Sequence, residues 1–148
     1  MSSNCLYLIP DLPEYVPGQQ AAEQARGLLK TFLPNADEIQ AAFTDAPAFV
    51  QPGPNLELVA CPQCGQNAGK WWGEALQNYR EHGAGAFVVV TPCCGKRTSL
   101  DGLHYQPAAG FARFVLSASN PARAITRKER QQLSRAVGCN LREVSAVV

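Results

Sequence analysis

The chain alternates short apolar runs with breaks rich in Pro and Gly, and the spacing inside each run predicts its element. Cys5-Leu6-Tyr7-Leu8-Ile9 has the continuous apolar character of a buried strand, which Pro10 ends. From Gln19 to Leu33, Ala21, Ala25, Leu28, Leu29 and Phe32 recur three and four residues apart, so a helix is expected until Pro34. Asn35 or Asp37 can cap a second short helix carrying Ile39, Ala42 and Phe43. Ala48-Phe49-Val50 and Leu56-Glu57-Leu58-Val59-Ala60 flank the turn signal Gln51-Pro52-Gly53-Pro54-Asn55, which predicts a hairpin or a strand–loop–strand.

Asn67 or Gly69 precedes a helix over 69–82, with Trp72, Leu76 and Tyr79 along one face and Gly83 at its end. Ala86 to Thr91 is an unbroken apolar run, expected to be a central strand buried on both faces. Ser99-Leu100-Asp101-Gly102 reads as a turn or short helix, and Phe111 to Ser117 as a strand. Thr126 with Glu129 three residues on is a capping-box signature for a helix over 127–137, which Gly138 closes. Leu141 to Val148 completes the order as an edge strand. The expectation is an α+β fold, a mixed sheet with flanking helices. It forms a single domain over 1–148, divided into a β-α-α-β part at 1–60, an insert at 61–96 and a β-α-β part at 97–148.

Composition narrows the class. With 46% hydrophobic and 17% charged residues in 148, the chain can bury a core and is not disordered. No apolar run approaches the about 18 residues of a membrane span, and the start has no signal-peptide pattern, so a cytoplasmic location and no membrane partner are expected. The net charge of +1 is unevenly spread: residues 1–60 carry two basic and seven acidic side chains, 61–119 five and three, and 120–148 six and two. A basic C-terminal third makes nucleic acid an alternative partner, although such charge also serves as a solvated face.

The chemistry lies in two stretches of one frame, Cys61-Pro62-Gln63-Cys64-Gly65 and Thr91-Pro92-Cys93-Cys94-Gly95-Lys96. In both, Pro is second, Cys fourth and Gly fifth. In a reducing compartment clustered cysteines point to metal ligation before disulfides. Cys93 and Cys94 cannot bridge each other, because neighbouring Cα atoms about 3.8 Å apart lie below the about 4.4 Å that a relaxed disulfide needs. Cys61, Cys64 and Cys94 supply three ligands. Cys93 is the nearest fourth, with His104 as substitute and His82 or water as further choices. Water would leave an open, catalytic position. Cys61-Pro62-Gln63-Cys64 also has the spacing of a redox dithiol, but Gly65 to Gly69 separate it from the following helix. Cys5 and Cys139 have no spacing partner and read as small buried residues.

The repeated frame resembles the knuckles of zinc-ribbon proteins, with Thr91 departing from the usual Cys. The chain as a whole resembles small uncharacterised bacterial proteins with a central zinc ribbon, a likeness that brings no activity with it. The resemblance implies structural Zn2+ and a binding role. Lys70, Trp71, Lys96 and Arg97 are the candidate binding surface, with Trp72 turned to the core. Arg113, inside an apolar strand, is expected at the sheet surface or paired with an acid such as Asp101. The functional expectation is a non-enzymatic, zinc-stabilised regulatory protein acting on an unknown protein partner, for instance as an immunity-type inhibitor. A nucleic-acid-binding ribbon and a thiol redox or open-zinc enzyme are the alternatives.

Overall fold

The computed structural model describes residues 4–53 and 56–147, so Met1–Ser3, the predicted turn residues Pro54 and Asn55, and Val148 lie outside the described residues. Eight strands and three α-helices follow in the order β1 (Asn4–Pro10), α1 (Gln19–Phe32), β2 (Glu38–Val50), β3 (Leu58–Ala60), α2 (Gly69–His82), β4 (Val88–Val90), β5 (Arg97–Ser99), β6 (His104–Gln106), β7 (Gly110–Ser119), α3 (Arg127–Val137) and β8 (Leu141–Val147). The fold is α+β.

Four strands form the main sheet in the order β2-β7-β1-β8, and every neighbouring pair is antiparallel. A mixed sheet was expected; the connectivity makes it antiparallel. The β1–α1–β2 crossover leaves a gap one strand wide that β7 fills, and β7–α3–β8 leaves a gap that β1 fills. Two split β-α-β units are thereby interlocked, the connectivity called ferredoxin-like. α1 and α3 cover one face, where Ala25, Leu29 and Leu133 pack on Leu8, Phe114 and Leu116, all but inaccessible to solvent. On the other face Ile9, Val50, Ala112 and Val144 form a smaller cluster.

Segment 38–43 is strand, not helix: Ile39, Ala42 and Phe43 lie in β2, opposite Ala118, Val115 and Phe114 of β7. Three apolar residues so spaced satisfy a helical or a bulged-strand pattern equally, and pairing with β7 decides between them. The stretch around Pro52-Gly53 is a strand–loop–strand, because β2 pairs with β7 while β3 pairs with β6 in a separate two-stranded sheet. The apolar run at 86–91 is not a central strand either. β4 covers only Val88–Val90, pairs with β5 alone, and leaves Val88 49% and Val90 61% exposed. An apolar run specifies strand character but not how many neighbours the strand has.

All four strands of the main sheet come from residues 4–50 and 110–147, and the intervening chain carries both two-stranded sheets and α2. An aromatic joint holds the two parts together. Phe49 of β2 and Phe111 of β7 meet Trp72, Tyr79, Phe87 and Tyr105, with ring centroids 5.1 to 5.9 Å apart. Tyr79 donates to Pro47 O at 2.6 Å and Tyr105 to Leu100 O at 2.6 Å, so both buried hydroxyls are satisfied. Arg113 is half-exposed, with Nε donating to Thr44 O at 3.1 Å and the guanidinium 3.9 Å from Glu14; Asp101 is instead the partner of Arg142.

α3 begins with the expected reciprocal cap: Glu129 N–H donates to Thr126 Oγ1 at 3.1 Å and Thr126 N–H to Glu129 Oε1 at 2.8 Å. Hydrogen bonds from Arg123 and from the Thr126 amide draw the Glu129 carboxyl down to about 2. A folded-state value below the ordinary carboxylate range contributes stability that is complete above the unfolded value, and that is lost as pH falls through the folded one. Thr126→Ala is expected to cost about 1 kcal/mol in urea denaturation at pH 7. The stability difference between wild type and Glu129→Gln, present at pH 7, should fade as pH falls from about 4.5 to about 2; a constant difference would contradict the assignment.

Candidate metal centre

Two turns of the same backbone build the site. In the first, Gly65 N–H donates to Cys61 O at 2.9 Å and Cys61 N–H to Gln66 O at 2.9 Å. In the second, Gly95 N–H donates to Thr91 O at 2.7 Å and Thr91 N–H to Lys96 O at 2.9 Å. Gly65 and Gly95 take φ of +78° and +70°, with open space where a Cβ would stand, so conformation and not crowding favours glycine there. β3 leads into the first turn and β4 into the second, and both bring their cysteines to one place.

The thiols of Cys61, Cys64, Cys93 and Cys94 all lie within 4.8 Å of one another. Cys61 Sγ is 3.7 Å from Cys94 Sγ, and Cys64 Sγ 3.3 Å from Cys93 Sγ. Four sulfurs about 2.3 Å from a tetrahedral centre stand about 3.8 Å apart, so the cluster has the dimensions of a four-thiolate metal site. Cys61 is buried, Cys93 and Cys94 half-buried and Cys64 exposed, which gives a metal a route in from one side.

The cluster is electrostatically uneven. Backbone hydrogen bonds, chiefly from Cys64 and also from Gln63, outweigh burial and bring the Cys61 thiol down to about 6. Sharing its proton with Cys64, together with burial, pushes Cys93 up to about 12. Four adjacent thiols cannot all ionise without a cation beside them.

The two turns differ where Thr91 stands in the place of Cys61. Thr91 is fully buried. Its Oγ1 accepts from Lys96 N–H at 3.2 Å and lies 3.2 Å from Cys94 Sγ. The hydroxyl therefore braces the turn and the Cys94 sulfur, while the neighbouring Cys93 supplies the sulfur that the first position would have given. Sequence reasoning left this role of Thr91 unassigned, although its place in the repeated frame was the available signal.

The histidines stand apart from the cluster. His104 is exposed on β6, across from Ala60, and His82 is exposed at the end of α2 with Nδ1 3.1 Å from Asn78 O. Among the described residues, neither joins the group of converging ligand atoms. Lys70, Lys96 and Arg97 are all exposed. Trp72 donates from Nε1 to Tyr105 Oη at 3.2 Å in the aromatic joint, whereas Trp71 lines a groove between α2 and β4. Cys5 and Cys139 are half-buried and outside the cluster. Among the described residues, no helix is long and apolar enough to cross a membrane. Comparisons with protein-family models, curated proteins and solved structures find no match.

Cobalt(II) titration should read the ligand set. Cys61→Ser, Cys64→Ser, Cys93→Ser and Cys94→Ser should each reduce the thiolate-to-cobalt absorption and weaken binding by about tenfold or more. His104→Ala should leave both unchanged. An unaltered spectrum in Cys93→Ser, or a lost one in His104→Ala, would replace Cys93 as the fourth ligand.

Proposed function

We propose that the chain is a non-enzymatic, zinc-stabilised binding protein that works by protein–protein contact, as a regulator or an immunity-type inhibitor. The observation that carries this reading is the all-thiol composition of the cluster. Four thiolates in tetrahedral array favour zinc among the common divalent ions and complete its coordination, leaving no position for a substrate or an activated water. Bound there, zinc supplies a cross-link between the turn after β3 and the turn after β4. It neutralises charge that adjacent thiolates could not otherwise hold. A reducing, cytoplasmic setting keeps such thiols available for metal.

Nucleic-acid binding is the second reading, supported by exposed Lys70, Lys96 and Arg97 near the turns. It draws less from the basic C-terminal third than the charge count suggests. Arg123, Arg130 and Arg142 there form ion pairs with Glu129, Glu143 and Asp101.

Elemental analysis of the purified protein should give close to one zinc per chain. Chelation should lower the melting temperature, and added zinc should restore it. Retention on heparin or an oligonucleotide at low salt, falling steeply as salt rises, would move the nucleic-acid reading to the front. The proposal is sunk by a hydrolytic or thiol-exchange turnover that a single cysteine substitution abolishes while the fold survives.

A further inference from the structure

The two cysteine turns sit in duplicate surroundings, and among the described residues one of the duplicates lacks a strand. Leu58-Val59-Ala60 leads into Cys61 as Val88-Val89-Val90 leads into Thr91. β3 has neighbours on both edges. On one side Val59 O accepts from Ala68 N–H at 2.7 Å, and on the other β6 sets Gln106 opposite Leu58 and His104 opposite Ala60. At β4, the strand β5 takes the first of these places, and among the described residues no strand takes the second.

Register decides which atoms this leaves free. Leu100 N–H donates to Phe87 O at 2.9 Å and Thr91 N–H to Lys96 O at 2.9 Å, so Phe87 and Thr91 bond toward β5. In an antiparallel pair the bonding direction alternates, so Val89 also faces β5. Val88 and Val90 therefore turn their N–H and C=O groups to the opposite edge, where among the described residues no hydrogen bond reaches them. Natural edge strands are guarded by shortness, charge, Pro or a bulge. β4 is short, but its three residues are all valine, with no charge, Pro or bulge among them.

The free edge borders a groove whose other wall is one face of α2, where Trp71, Ala75, Asn78 and His82 recur at three- and four-residue spacing. Glu74 and Glu81 stand on the same wall, exposed and, among the described residues, without an ion pair.

We propose that β4 receives an extended, basic segment of a protein partner, which adds as a strand along this edge between β4 and α2. The proposal rests on the protein-contact reading above and names the class of partner. Strand addition draws affinity from main-chain hydrogen bonds and specificity from alternate side chains. β6 supplies the template: it runs antiparallel to β3, with its middle residue Tyr105 buried opposite Val59. The guest residue opposite Val89 is accordingly apolar and packs toward Trp71 and Ala75. Lys or Arg in the guest answers Glu74 and Glu81, and an acidic guest would meet two like charges.

The test uses the metal-loaded full chain and two short extended peptides, one alternating Lys and Val, the other Glu and Val. The Lys–Val peptide should bind about tenfold or more tightly than its acidic counterpart. It should also shift the Val88 and Val90 amides in NMR spectra and slow their hydrogen exchange. Val90→Pro removes one outward N–H that the β4–β5 ladder does not use, and should weaken binding by about tenfold. Glu74→Lys with Glu81→Lys should reverse the preference between the peptides; if Val90→Pro does not fold, this surface double variant carries the test. Equal affinity for the two peptides, no binding of either, or unaltered binding in a folded Val90→Pro protein would each overturn the proposal. So would Val88 and Val90 amides already protected in a protein that sediments as a dimer, since a second copy would then be the occupant. None of these readouts measures turnover. Failure here leaves the binding-protein reading standing, whereas a cysteine-dependent reaction would remove that reading without altering the peptide result.

Discussion

Four ionisable sulfurs drawn within 4.8 Å of one another are the constraint on which the middle of this chain depends. Two turns separated by a whole helix must return to one place with side chains that repel once charged. Cys93, held up by its contact with Cys64 and by burial, shows the cost of ionising a thiol among thiols, whereas backbone hydrogen bonds ease that cost at Cys61. A cation removes it, because each thiolate then faces positive charge in place of another thiolate. β3, β4, β5 and β6 are each only three residues long, too short to make independently stable two-stranded sheets. Their order is secured from two directions, by the thiol cluster at the turns and by the aromatic joint on the main sheet.

That joint explains how a segment entering between β2 and β7 is tolerated. β2 and β7 pair from Glu38–Ser119 to Val50–Gly110, so the two ends of the intervening chain leave the sheet side by side. Phe49 and Phe111 lie opposite each other in that register and carry the contact into the intervening segment. The segment needs Phe49 and Phe111 to complete its apolar cluster, and it returns Asp101 to Arg142 of β8 and the Tyr79 hydroxyl to Pro47 O of β2.

The turns themselves show how backbone and side chain can part company. Their main-chain hydrogen bonds repeat, but Thr91 holds a position where the first turn has a ligand, and Cys93 compensates from two residues on. The duplication extends to the strands that lead in, and it breaks at the edge of β4 where, among the described residues, β6 has no equivalent. Both departures from symmetry fall in the second half: one changes which residue brings a sulfur to the cluster, the other leaves main-chain donors and acceptors without a strand beside them among the described residues.

Local chemistry was legible in the chain itself. The Thr126–Glu129 cap, the helix over 69–82, the Pro34 stop and the Cys–Gly frame all express interactions between residues a few positions apart, which sequence spacing encodes directly. Cys61, Cys64 and Cys94 were identifiable for the same reason, since the repeated frame sets their places. Tertiary structure alone decided the rest. Segment 38–50 became a strand because Ile39 found Ala118 and Phe49 found Phe111, and the run at 88–90 became an edge because, among the described residues, no strand lies beyond it. Sheet order, the convergence of Cys93 with the other three thiols and the open edge of β4 all depend on partners far away in the chain. Apolar character can call for such partners, but only the folded arrangement supplies or withholds them.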